Sequence, residues 1–116
     1  MKDWTKIRER YLRDALPIRL GGLAANLARI KSFSNNIGNY DVVESLLNES
    51  KFFIEWTALE ADIDIAATLI DLQVLLARWQ RNLPRIWEDP IQRSNIAEQS
   101  KNWSTHILET SGLLKE

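Results

Sequence analysis

Carboxylates crowd one stretch of this chain. Over residues 52–71, FFIEWTALEADIDIAATLID, five acids (Glu55, Glu60, Asp62, Asp64 and Asp71) surround a Trp56-Thr57 junction, and no glycine or proline interrupts them. Grouped carboxylates are the raw material of a divalent-metal site. In a helical bundle, a carboxylate-bridged metal pair takes a Glu from each of two helices and a Glu-x-x-His from each of two others. This chain has one histidine, His106, and its HILE (106–109) runs in the reverse order. Asp62, Asp64 and Asp71 alternate with apolar residues and fall mainly on the side away from the apolar seams. The stretch therefore reads as a helix corner, with acids gathered where the N-terminal end of a helix dipole favours them. No metal or other cofactor is expected.

Other chemistries lack their parts. With no cysteine in the chain, thiol catalysis, disulfides and thiolate metal sites are excluded. His106 has no recognisable serine or acid constellation around it. Gly21-Gly22 lies inside a helical pattern and follows no strand, so it is not a phosphate-binding loop. KIRERYLR (6–13) and the trail of Arg78, Arg81 and Arg85 are basic, but no helix-turn-helix pattern frames them and the net charge is −1. Nucleic-acid binding is not expected on that balance. Neither a secretory leader nor a membrane span is expected, since MKDWTKIRER opens without an apolar core and no apolar run approaches the roughly 20 residues a bilayer requires. An enzyme is not expected.

What positions the side chains is helix nearly everywhere. The chain's 116 residues suit one domain, 1–116, and only four glycines and three prolines punctuate them. A short first helix spans about Trp4 to Arg13 behind Asp3 as N-cap. The second runs from about Leu16 to Ser34, with Leu16, Leu20, Leu23, Leu27 and Ile30 recurring at helical spacing. NNIGNY (35–40) is a turn, and Asp41 with Glu44 resembles a capping box opening the third helix. The last helix opens at Asp89-Pro90, with Gln92 two residues on, and stops at Gly112. Its inner face is Ile96, Ser100, Trp103, Ile107, Thr110 and Leu114.

Residues 41–83 hold no glycine or proline. As one helix they would reach roughly 65 Å, against a radius of gyration of about 13 Å for a domain of this size. A single rod would demand an open, swapped dimer. The S/T-x-x-E pattern of TALE (57–60) offers a break instead, so the sequence predicts a corner near Glu55–Ala61. The helix after it runs to about Leu83, where Pro84 ends or kinks it. It carries two seams: Ile65, Leu69, Leu72, Leu76, Trp79 and Leu83, and then Ile63, Ala66, Ile70, Val74 and Ala77. Two seams imply burial over a wide arc and a central place in the fold.

Two groups of residues mark candidate sites. Of five tryptophans, Trp4, Trp56 and Trp87 lie near predicted helix ends, and Leu75 strays onto a polar arc. These four are the candidate interaction surface, since exposed tryptophans anchor partners well. Gly21 and Gly22 give either close helix approach or a gap which, lined by Trp79 and Trp103, would hold a flat apolar ligand. Charge is segregated: +5 over residues 1–31, −7 over 32–76 and +1 over 77–116. It either pairs internally, basic segment on acidic segment, or forms opposed patches for association.

The segments IRERYLRDALPIRLGGLAANLARIKSF, SKFFIEWTALEADID and DPIQRSNIAEQSKNWS resemble short uncharacterised helical proteins of cyanobacteria. The resemblance implies a bacterial, cytoplasmic, helical protein and carries over no catalytic or binding residue. The expectation is an all-α, up-and-down four-helix bundle with a short extra N-terminal helix. Its expected role is a non-enzymatic interaction or structural module, a homodimer or the partner of an unidentified protein. The alternative is a small-molecule binder with an apolar, Trp-lined interior pocket.

Overall fold

Asp3, in extended backbone, accepts from the Lys6 amide and starts the first helix of the computed structural model, which describes residues 2–113. Five α-helices follow: α1 (Trp4–Arg13), α2 (Leu16–Phe33), α3 (Tyr40–Ala58), α4 (Ile63–Trp87) and α5 (Pro90–Ser111), with a short 3-10 turn at Ile37–Asn39. The described residues form no strand. The expected inner position Leu114 lies outside them.

Local chemistry sets most boundaries. Pro17 sits in the first turn of α2, where its missing amide costs nothing. Asp89 caps α5 with Pro90 behind it. Hydrogen bonds from the Gln92 side chain and the Ile91 amide hold its carboxyl below the usual range. Gly112, at φ 84°, closes α5 in the left-handed conformation.

Three boundaries depart from the sequence expectation. The third helix starts one residue earlier than Asp41, behind Asn39, which makes no side-chain cap bond, so Asp41 stands inside the first turn. The corner falls where it was expected, but Thr57 does not open the next helix. It is buried within α3, and Asp62 is the cap, accepting from the Ile65 amide at 3.0 Å. Pro84 does not end α4, which continues to Trp87 with Pro84 exposed. Proline at this place removes one amide donor for the carbonyl four residues back.

The helices pack in chain order. α2 lies against α3, α3 against α4 and α4 against α5, while the broadest contact of all returns from α5 to α2; α1 rests on α3. The shared core is leucine-rich: Leu20, Leu23, Leu27, Leu47, Leu72 and Leu76 are all excluded from solvent. The overall extents are 38 × 32 × 22 Å, so α4, at about 1.5 Å per residue, spans the long dimension. The ion pairs among the described residues, Lys2–Glu49 and Arg19–Glu60, both tie the basic first segment to the acidic middle one, as internal pairing requires.

Candidate functional site

Trp4 and Trp56 meet where α1 crosses α3. Their ring centroids are 6.4 Å apart, with Phe52 wedged against both, at 4.5 Å from Trp4 and 5.5 Å from Trp56. Tyr11 stacks on Phe53 at 4.0 Å, completing an aromatic seam that glues the short helix down. Both tryptophans stay half-buried. Trp87 lies elsewhere, near the N-terminal end of α3, where Tyr40 packs edge-on at 5.9 Å. It is 4% exposed, and its indole N–H donates to the Ile37 carbonyl at 2.7 Å. Leu75 is half-buried against the core. The four residues singled out by sequence therefore do not share one surface.

Gly21 and Gly22 line an open groove of about 540 Å³ with Tyr11, Asp14, Arg29 and Phe53 among its walls. A Cβ on Gly21 would stand 2.7 Å from Leu113 Cδ1, whereas one on Gly22 would meet nothing nearer than Tyr11 Cε1 at 3.7 Å. Gly21 thus permits close approach between α2 and the chain just beyond α5. Trp79 and Trp103 do not line this groove. Trp79 is buried in the core, and Trp103 stands half-buried beside His106, ring centroids 5.7 Å apart. The expected Trp-lined interior pocket is instead a surface groove without tryptophan.

A polar clasp that sequence spacing did not announce joins the α1–α2 junction to the α3–α4 corner. The Arg19 guanidinium is buried and donates three ways: Nε to the Asp14 carbonyl at 2.8 Å, Nη2 to the Leu12 carbonyl at 3.1 Å, and Nη1 to Glu60 at 2.6 Å. The Tyr11 hydroxyl donates to the Arg19 carbonyl at 2.8 Å, so at 3.1 Å it accepts from Thr57 Oγ1. Burial pushes the Tyr11 phenol up to about 12. A neutral phenol and a guanidinium with three of its five N–H donors engaged hold backbone together, and the Arg19 charge is paired with Glu60.

The corner acids disperse. Glu60 serves Arg19, Asp62 caps α4, and Glu55, Asp64 and Asp71 are exposed. Among the described residues no three side chains of metal-binding type come together, and no helix is long and apolar enough to cross a membrane.

The outer face of α4 is the surface sequence reasoning misplaced. Of the seam Ile65, Leu69, Leu72, Leu76, Trp79 and Leu83, all are buried as expected except Ile65, which is half-buried. The second seam is not buried. Ile63 is 83% exposed, Ile70 51% and Val74 52%, while Ala77 is exposed and Ala66 half-buried. With the exposed Ala67, the outward residues run 63, 67, 70, 74, 77, a spacing of 4, 3, 4, 3. At 100° per residue they lie opposite the core seam. α4 is therefore a peripheral helix with an apolar stripe on each side, and no helix among the described residues covers the outer one. Other exposed large apolar residues, such as Ile18 and Ile91, lie on other helices. No protein-family model, curated protein or solved structure matches the chain.

Proposed function

We propose that the protein is a non-enzymatic interaction module that works as a homodimer. The observation that carries this is the exposed stripe Ile63, Ile70 and Val74 on α4, three β-branched side chains at coiled-coil spacing left open to water. Scattered exposed apolar residues are ordinary; a stripe along one helix is the form in which helices bind helices. An up-and-down four-helix bundle with α1 as the extra helix is the architecture that we assign. The sequential packing of α2 through α5 and the broad contact between α2 and α5 support it. The resemblance to short cyanobacterial proteins supports a bacterial, cytoplasmic setting.

Sedimentation velocity from about 1 to several hundred micromolar tests the reading, because self-association responds to concentration by mass action. The expected result is a shift from 13.5 kDa to twice that mass. A single 13.5 kDa species throughout refutes it.

A second reading rests on the groove at Gly21 and Gly22, where the stacked Tyr11 and Phe53 rings meet the polar Arg29 and Glu49. A small flat ligand with one polar edge fits those walls. Native mass spectrometry of freshly purified protein detects such a ligand as added mass, and a bare chain mass removes this reading.

A further inference from the structure

The exposed stripe has a charged border, and the border has a direction. Asp64, Asp71, Arg78 and Arg85 follow one another at intervals of seven and are all exposed. Each stands one residue after Ile63, Ile70, Ala77 or Pro84, so the four form a line along one edge of the stripe. The half nearer the start of α4 is acidic and the half nearer its end basic. None of the four joins the ion pairs among the described residues, Lys2–Glu49 and Arg19–Glu60.

We propose that a second copy of this chain docks on the outer face of α4, the two α4 helices running antiparallel about a two-fold axis near Leu72. This rests on the reading that the protein self-associates and specifies the surface and orientation. Charge decides the orientation. Parallel helices put the two charged edges on opposite sides of the seam, where no acid faces a base of the other copy. Antiparallel helices bring the acidic half of each against the basic half of the other. In antiparallel pairs the residues at this heptad position face their equivalents across the seam, so about an axis near Leu72 Asp64 of each copy meets the other's Arg78, while the two Asp71 carboxylates flank the axis. The same register sets Ile70 against the second copy's Val74, and Ala67 against its Ala77. Alanines on both sides of the axis let the helices approach closely. Ile63 then covers the aliphatic stem of the second copy's Arg81. The contact is isologous and closed, so it stops at two copies. From Ile63 to Arg81 it runs about 27 Å at 1.5 Å per residue. A single helix pair of that length lies at the small end of specific interfaces, which suits a dimer of roughly micromolar affinity.

Three experiments on the full chain test this, with circular dichroism confirming that each variant keeps its helix. First, the double variant Ile70→Asp/Val74→Asp changes only exposed positions, and the dimer should weaken about 100-fold or more. If the wild type dimerises and this variant dimerises equally well, the α4 surface is wrong while self-association stands. If the wild type is itself monomeric at several hundred micromolar, both fail. Second, Asp64→Arg/Asp71→Arg makes the border wholly basic and Arg78→Asp/Arg85→Asp makes it wholly acidic. Each variant alone should remain monomeric, and the mixture should form a heterodimer. Self-association of either variant at wild-type strength refutes the charge pairing.

Third, the cysteine-free chain accepts single spin labels through Gln73→Cys or Glu88→Cys. Residue 73 lies beside the axis and residue 88 sixteen residues from it, so antiparallel helices give a short distance at 73 and about 50 Å at 88. Short distances at both positions mean a parallel pair, and long distances at both mean another surface; either result overturns the arrangement.

Discussion

Replacing Arg19 by methionine isolates what the buried guanidinium does. Methionine keeps an unbranched apolar stem of similar reach, so the packing of α2 is largely retained. What disappears is three hydrogen bonds, to the carbonyls of Leu12 and Asp14 and to Glu60. They are not equal. The Glu60 side chain is 56% exposed against 9% for Arg19, so water replaces most of what Glu60 loses and that share is about 0–1 kcal/mol. The two carbonyls stand at the end of α1, where helical acceptors have no partner of their own. Losing a charged donor there costs about 1.5–3 kcal/mol each. The sum is roughly 3–7 kcal/mol. Unfolding entropy of about 2.1 cal/mol/K per residue over 116 residues converts that to a fall in Tm of about 12–29 °C. Glu60→Gln should cost no more than about 4 °C by the same conversion. Arg19→Lys should fall between them, because the single nitrogen of an ammonium cannot reach three acceptors spread around a planar guanidinium. Thermal melts followed by far-UV circular dichroism, backed by urea titrations, provide the measurement. If Arg19→Met melts within about 4 °C of wild type, or Glu60→Gln costs as much as Arg19→Met, the clasp is a surface ion pair and the reasoning is wrong.

Gly22→Ala should raise stability by up to about 1 kcal/mol, or about 4 °C in the same melts, because the new methyl meets nothing nearer than 3.7 Å inside a helix. Gly21→Ala should gain less, since Leu113 must first swing away from a contact at 2.7 Å; if the order is reversed, the groove geometry around the glycine pair is wrong. Alkaline pH should reveal Tyr11. The unfolded phenol ionises near 10 and the folded one near 12, so between those values the unfolded state binds fewer protons and stability falls as pH rises, by up to about 1.4 kcal/mol per unit. Urea unfolding at a series of pH values should show a shallower decline for Tyr11→Phe, starting from a lower stability at neutral pH; parallel curves refute the burial of the hydroxyl.

Where a boundary depends on neighbours in the chain, the sequence shows it. Asp3, Pro17, Asp89-Pro90 and Gly112 each act within four residues, and α1, α2 and α5 begin or end beside them as expected. Thr57 misleads because its hydroxyl is engaged by Tyr11, 46 residues away, a contact no local pattern records. Asp62 then takes the cap, and Thr57-Ala58-Leu59-Glu60 contributes its first member to a buried bond and its last to Arg19. The clasp itself was not legible for the same reason: Tyr11, Arg19, Thr57 and Glu60 have no shared spacing, and an arginine between apolar residues on a helix reads as a surface position. The tryptophans were legible as helix-end residues, but only the tertiary arrangement divides them, with Trp4 and Trp56 in one aromatic seam and Trp87 sealed beneath the Ile37 carbonyl.

The two seams of α4 have the same period, and periodicity alone cannot say whether the cover over an apolar stripe comes from the same chain or from another copy. Residue size and bordering charge carry more. The buried seam is built of Leu69, Leu72, Leu76, Trp79 and Leu83, large side chains that fill the space between α4 and its neighbours. The outer seam alternates Ile63, Ala67, Ile70, Val74 and Ala77, a stripe too shallow to fill a core and well shaped for one helix laid close along it. The buried seam needs no charge code, since the connections of the chain already fix which helix lies beside it. A surface that must find its partner in solution gains orientation from a line of charges, and the change of sign between Asp71 and Arg78 supplies one. An apolar helical face bordered by charges that reverse sign along its length is therefore better read as a contact made after folding than as a second wall of the core.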